Sequence, residues 1–219
     1  MNQIPLLLAD DHVLMREGLC AQLEQTNHFY VVSTASSVNE TIEQTYYYQP
    51  RVAIVDIQLA DGSGITACQH IVQRSANTGV VLLATYDWDV YLARAWSSGA
   101  SAFVVKTAAI RELVRVLRQI ACGQKLFTSG QMERIWTWQR TVDARLQSLT
   151  PRAKQVLHLV SNGYTNPEIA AALLISNKTV ECHVSQLLTK LDLESRRDII
   201  AWAEHTRVFV SEDLELKYR

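Results

Sequence analysis

"RVAIVDI", residues 51 to 57, decides the fold. Val52 to Val55 are apolar without interruption, and a carboxylate, Asp56, follows at once. A strand with one wet face alternates apolar and polar residues. A run that is apolar at successive positions is buried on both faces, as in a parallel sheet covered by helices on either side. Working outward, four similar runs appear: "IPLLLAD" (4 to 10), "YVVSTAS" (30 to 36), "GVVLLAT" (79 to 85) and "SAFVVK" (101 to 106). Helix-like stretches separate them. In "IRELVRVLRQIACG", residues Ile110, Leu113, Val114, Leu117 and Ile120 share one helical face, and Gly123 is a C-terminal stop. Strands alternating with helices predict a doubly wound α/β domain with a five-stranded parallel sheet.

After Gly123 the strand signal ends. "SGQMERIWTWQRTVDARLQS" is polar with Ile135, Trp136 and Trp138 embedded, which predicts an amphipathic linker helix with aromatics available for docking. From Leu149 onward the pattern is all-α. "TPRAKQVLHLVSNG" carries a cap at Thr150, Pro151 at the first helical position and a terminal Gly163. "NPEIAAALL" and "SNKTVECHVSQLLTKL" follow, with Asn166 and Ser176 as expected caps, and the tight turn between them makes a helix-turn-helix.

The 219 residues are 48% hydrophobic, enough to build real cores. No apolar run approaches the ~20 residues of a membrane span. The start, "MNQIPLLLADD", lacks a basic flank and meets acid too early for a signal peptide, so a cytoplasmic protein with no membrane partner is expected. Cys20, Cys68, Cys122 and Cys182 are scattered, which argues against a disulfide framework or a zinc site. The net charge of −1 hides an asymmetry. Residues 1 to 122 carry 8 Lys/Arg against 11 Asp/Glu, whereas residues 123 to 206 carry 10 against 8. The second half is weakly basic, which permits nucleic-acid binding without requiring it.

Ligands of an open parallel sheet sit beyond the carboxyl ends of its strands. Those ends here carry Asp10-Asp11, Asp56, Thr85 and Lys106. Clustered carboxylates raise one another's pKa unless a cation joins them, and hard oxygens suit Mg²⁺. A phosphoryl group on Asp56 would add negative charge that Mg²⁺, Lys106 and the Thr85 hydroxyl could offset. Gly62 and Gly64 allow a tight loop after Asp56, the position of a nucleophile. Taken singly, Asp11 or Thr85 could be a helix cap and Lys106 a solvated charge. A phosphatase that uses a strand-end Asp as nucleophile needs a second Asp two residues on, and Gln58 stands there.

Residues 4 to 122 resemble the receiver domain of two-component response regulators. The resemblance rests on Asp10-Asp11, on "AIVDIQLADGSGI" with Asp56, on "LLATYD" with Thr85, and on "GASAFVVK" with Phe103 and Lys106. It implies a flavodoxin-like fold and Mg²⁺ held by Asp11, Asp56 and the backbone carbonyl of Gln58, with Asp10 acting largely through water. Asp56 would accept phosphoryl from a sensor histidine kinase. Thr85 and Lys106 would turn toward the acyl phosphate, and Phe103 would move inward with Thr85. Ala60 stands where the family usually has proline, and Tyr86 is bulkier than the usual residue beside the hydroxyl, which predicts narrowed access to the pocket.

Residues 149 to 200 resemble the LuxR/NarL-type DNA-binding domain, which places the chain with NarL/FixJ-type regulators. In "NKTVECHVSQLLTKL", residues Val180, Val184, Leu187, Leu188 and Leu191 can face the core. Lys178, Thr179, Glu181, Cys182, Ser185 and Lys190 then have exposed faces for the major groove. Lys178, Thr179 and Lys190 suit phosphates, and the resemblance puts Glu181, Cys182 and Ser185 nearest the base edges. Two readings stand for Glu181: acceptance from cytosine, or pairing with Lys178. His183 is expected to be partly buried and hydrogen-bonded. The "SRRDIIAWAEHTRVF" helix is either a dimer contact or part of its own core.

The expected organisation is a receiver (1–122), a helical linker (123–148), a helix-turn-helix domain (149–206) and a tail (207–219). The expected function is a response regulator, phosphorylated on Asp56, that binds double-stranded DNA as a homodimer to regulate transcription. It would catalyse only its own phosphotransfer and dephosphorylation. The competing expectation is a phosphate sink or interaction module whose helical domain does not read DNA.

Overall fold

A computed structural model describes residues 3–209 of the chain. They fall into two compact units that divide between Ile135 and Trp136.

In the first unit the chain runs β1 (Ile4–Ala9), α1 (Val13–Glu24), β2 (Phe29–Ala35), α2 (Val38–Tyr48), β3 (Val52–Asp56), β4 (Gln58–Leu59) and β5 (Gly62–Ser63). It continues through α3 (Gly64–Arg74), β6 (Gly79–Ala84), α4 (Asp89–Ser97), β7 (Ala102–Val105), α5 (Ile110–Ala121) and α6 (Ser129–Trp138). The main sheet has the order β2-β1-β3-β6-β7, and every pairing in it is parallel. These are the five runs expected from the sequence. All five residues of β3 are buried, because helices cover both of its faces.

Alternate residues face alternate layers. Leu6, Leu8, Ile54 and Val81 form one core with Leu117 and Ile120 of α5. Their neighbours Leu7, Ala53, Val55 and Leu82 are equally buried, on the side of the sheet where α2 and α3 pack. α5 has the apolar face read from the sequence, extended by Val116. The small antiparallel ladder β4·β5 was not foreseen. It is a hairpin in which Gln58 pairs with Ser63, carrying the chain from the end of β3 into α3.

The second unit contains the last residues of α6, a π-helical turn (Gln139–Asp143), α7 (Ala144–Gln147), α8 (Pro151–Ser161), α9 (Asn166–Leu173), α10 (Asn177–Leu191) and α11 (Arg196–Thr206). Val156, Leu157, Ile169, Val180, Leu187 and Ile199 meet in its core. Thr150 caps α8 as expected, accepting from the Ala153 amide at 3.1 Å. α9 starts differently: Thr165, not Asn166, is its cap, and the Glu168 carboxylate takes both the amide and the hydroxyl of Thr165 at 2.7 Å. A carboxylate three residues into the helix reaches back better than Asn166, which lies inside it.

The segment expected as a linker does not stand apart from the folded units. Leu126 pairs with Ala102 in the first unit, whereas Trp138 and Val142 pack with Ala203 in the second. Of the expected tail, Val208 and Phe209 join that second cluster. Residues 210–219 lie outside the described residues. Among the described residues no helix is long and apolar enough to cross a membrane.

Candidate functional site

The register of the sheet assembles the rim. Asp56 ends β3 opposite Leu83 of β6, so Thr85 follows two residues beyond that pairing. Ala84 pairs with Val105, and the Lys106 amide donates to the Ala84 carbonyl at 2.8 Å. Asp10 follows β1 directly, and its amide donates to Ala35.

Lys106 connects the two buried carboxylates. Its Nζ lies 2.7 Å from Asp10 Oδ2 and 2.5 Å from Asp56 Oδ2. Asp10 and Asp56 are 2% and 3% exposed, so both charges have lost nearly all their hydration. Burial pushes the Asp56 carboxyl above the usual carboxylate range, against the opposing pull of Lys106. For Lys106, burial works against the charge, but the bonds to Asp10 and Asp56 outweigh it and hold the ammonium above the ordinary lysine range. The site therefore contains a basic carboxylate beside a firmly protonated lysine.

Asp11 is not the cap of α1. That position is His12, and no side chain caps the helix. Asp10 accepts the His12 amide at 2.9 Å, and Arg16 donates to the Asp10 carbonyl. Asp11 Oδ1 is sheltered from solvent and accepts no hydrogen bond among the described residues, although His12 Nδ1 lies 2.7 Å away. Donor atoms of Asp10, Asp11, His12 and Asp56 lie within 4.8 Å of one another. Three carboxylates face one ammonium, an imbalance of two negative charges. Together with the Asp11 oxygen that accepts no hydrogen bond, this donor set fits a divalent cation. His12 was not expected at the rim; its adjacency to the acidic pair was the available signal.

Gln58 sits at the start of β4, with its amide 3.4 Å from Asp56 Oδ1. Thr85 is exposed and caps nothing, since the residue at the cap position of α4 is Trp88. Tyr86 is stacked on Trp88 with ring centres 4.5 Å apart and planes 5° from parallel, and Trp88 stacks in turn on Tyr91. Phe103 is already 4% exposed, so the expected inward swing of its ring has no outward starting point. The strand alternation that puts Ala102 in one core turns Phe103 into the other layer.

The second unit presents α10 after a short turn from α9. Val180, Leu187 and Leu191 are buried, with Val184 and Leu188 packed against the same core. Lys178, Thr179, Glu181, Cys182, Ser185 and Lys190 are exposed. Lys178 Nζ and Glu181 Oε2 are 3.2 Å apart, the pairing foreseen as one of the two readings of Glu181. Thr179 shares its hydroxyl with Ser176 at 2.8 Å, and Lys190 donates to the Ser148 carbonyl at the end of α7. Gln186, not singled out from the sequence, is exposed one turn beyond Cys182 and donates to its sulfur. Its four-residue spacing from Cys182 was the missed signal. His183 is half-buried, but its Nδ1 has no hydrogen-bond partner among the described residues, contrary to expectation. In α11, Ile199 and Ala203 are buried within the unit, which favours packing on its own core over a free dimer face.

Comparison with known proteins agrees with both halves. Residues 6–118 match the response regulator receiver domain, and residues 147–203 match the bacterial regulatory proteins of the luxR family. The chain is 32% identical over 203 residues to the DNA-binding transcriptional activator DevR/DosR of Mycobacterium tuberculosis, covering 91% of this chain and 94% of the relative. It is 28% identical over 200 residues to the response regulator VraR of Staphylococcus saprophyticus, covering 91% and 96%. Among solved structures, the response regulator ChrA of a heme-sensing two-component system aligns with a TM-score of 0.56 at 26% identity, over 94% of this chain and 99% of that one. The RcsB–DNA complex shares the fold, with a TM-score of 0.60 at 22% identity over 93% and 98%. The chain belongs to the NarL/FixJ family of two-component response regulators, transcription factors that join a receiver domain to a LuxR-type helix-turn-helix.

Proposed function

We propose that Asp56 is the phosphoryl acceptor and that its state controls DNA binding by α10. The observation that carries this reading is the Asp10–Lys106–Asp56 bridge, a buried and basic carboxylate held beside a fixed positive charge. A carboxylate oxygen of Asp56 attacks the phosphorus of a phosphohistidine on a sensor kinase. The new O–P bond forms as the N–P bond breaks, and the imidazole leaves with the bonding pair. Mg²⁺, held by Asp11, Asp56 and the Gln58 carbonyl with Asp10 alongside, would neutralise charge on the transferring group. Asp10 and Asp56 keep Lys106 protonated, so its ammonium is available to the acyl phosphate. Thr85, now exposed, supplies a hydroxyl to the same oxygens, while Phe103 packs behind it.

In the helical unit, Glu181, Cys182 and Ser185 face base edges, and Lys178, Thr179 and Lys190 meet phosphates. Lys178 must share its charge with Glu181, and Lys190 with the Ser148 carbonyl, so few phosphates are neutralised per protomer. A dimer on a two-fold site doubles those contacts, and binding depends on salt with a shallow slope.

The test uses full-length protein with acetyl phosphate, read by intact mass and by gel shift against genomic fragments. Wild type gains one phosphoryl group in Mg²⁺ and none in EDTA, and binding of a subset of fragments tightens. Asp56→Asn gains none and shows no tightening. A phosphoryl group retained in Asp56→Asn would refute the assignment.

A further inference from the structure

The segment before the second unit is strapped to the first. The Leu126 amide donates to Ser101 at 2.6 Å, Gln131 donates to the Phe103 carbonyl at 3.3 Å, and Phe127 meets Trp96 edge-on at 5.1 Å. These three contacts go to β7 and its approach and to α4. Arg134 reaches elsewhere, into the loop between β6 and α4. Its Nη1 lies 3.0 Å from each carboxylate oxygen of Asp87, its Nη2 is 2.9 Å from the Asp87 carbonyl, and its Nε is 2.6 Å from Asp89. All three guanidinium nitrogens are therefore spent on Asp87 of that loop and on Asp89, the first residue of α4.

That loop begins at Thr85. Asp87 is two residues and Asp89 four residues beyond it, and the Tyr86–Trp88 stack stiffens the intervening chain. Thr85 is exposed in the present arrangement. When its hydroxyl is drawn toward an oxygen bound to Asp56, any shift of the backbone after β6 carries Asp87 and Asp89 with it. A planar guanidinium held at once by the Asp87 carboxylate, the Asp87 carbonyl and the Asp89 carboxylate tolerates such a shift poorly, because its bonds cannot all keep their angles when those acceptors move. Phe103 is buried before any modification, so the usual aromatic swing has no room to relay the change.

We propose that Arg134 is a clasp: it fastens residues 125–135 to the β6–α4 loop while Asp56 is unmodified, and capture of a phosphoryl group by Thr85 opens it. The proposal rests on the assignment of Asp56 as acceptor and Thr85 as its hydroxyl partner. Trp136, two residues past Arg134, begins the helical unit, so opening the clasp frees the chain that leads into that unit. The phosphoryl signal then leaves the receiver through a loop-to-linker ion pair, a readout that depends on three guanidinium nitrogens held at once and not on charge alone.

Hydrogen exchange on the full chain tests this, with Asp56 occupancy measured by intact mass in the same samples before and after acetyl phosphate and Mg²⁺. Amides of residues 125–135 are expected to exchange about fivefold faster once Asp56 is modified. Arg134→Gln is expected to produce the same acceleration without phosphate and to leave Asp56 occupancy unchanged. Asp87→Asn, which alters the loop and spares the strap, is expected to act in the same direction. Unchanged linker exchange at full occupancy, or no effect of Arg134→Gln, overturns the clasp and leaves the acceptor assignment standing. Absence of any mass gain in wild type overturns the acceptor assignment, and the trigger of the clasp falls with it.

Discussion

Gly64 packs against the backbone of Asp56 so closely that a Cβ on it would lie 1.9 Å from the Asp56 carbonyl oxygen. The Gly64 amide also donates to the Ile57 carbonyl at 2.7 Å, drawing the loop back over the end of β3. A side chain here meets fixed backbone, which cannot move aside without disturbing the acceptor. Gly64→Ala is expected to destabilise the first unit by about 2–4 kcal/mol through overpacking and to slow phosphorylation sharply. Urea unfolding and acetyl phosphate uptake measure the two effects; a neutral Gly64→Ala would show that the loop can relax.

Asp56 predicts a pH-dependent cost. Burial raises its pKa in the folded state, so the ionised form disfavours folding once pH climbs above the unfolded carboxylate value. In EDTA, Asp56→Asn should therefore be more stable than wild type at neutral pH. That advantage should fade as pH falls below about 4, where both folded and unfolded Asp56 are protonated. Mg²⁺ should narrow the gap by stabilising wild type more than the variant. Urea midpoints across pH, with and without Mg²⁺, decide it.

Glu168 predicts the opposite sign. Its hydrogen bonds to the backbone and hydroxyl of Thr165 lower its pKa, so the capping contribution is present above the unfolded value and lost as pH falls through the folded one. Glu168→Gln is expected to melt below wild type at pH 7 and to converge with it under acid. Circular dichroism of the helical unit's transition would show whether the curves meet.

Leu174 is strained without compensation. It adopts the left-handed conformation (φ 53°) and is 92% exposed in the turn between α9 and α10. Leu174→Asn gives up almost no buried surface and suits that backbone better, so it should stabilise the helical unit by about 0.5–1 kcal/mol. A lower melting temperature for the variant would mean that the exposed leucine has a partner.

The thiols should separate by environment. Burial pushes Cys68 up to about 11, while Cys122 and Cys182 are exposed. At pH 8 only about one Cys68 in a thousand would be thiolate, and it lies within the core. Alkylation should be fast at Cys122 and Cys182 and absent at Cys68 until the protein unfolds. Cognate DNA should protect Cys182 and leave Cys122 reactive. Undiminished labelling of Cys182 in the complex would remove α10 from the groove.

The sequence by itself determined the layers and the rim. An uninterrupted apolar run such as Val52–Val55 has only one low-energy setting, buried on both faces, and the ends of such strands necessarily place Asp10, Asp56, Thr85 and Lys106 together. The apolar spacing in α10 likewise settled which residues face water. Tertiary structure alone decided the pairings: Lys106 bridging Asp10 and Asp56, Lys190 held by Ser148, Thr165 rather than Asn166 capping α9, and Phe103 buried from the outset. The reach of Arg134 to Asp87, 47 positions away, belongs with them. Burial follows from periodicity, a property of neighbouring residues. A hydrogen bond depends on sub-ångström distances and angles between segments that the chain brings together only when it is folded.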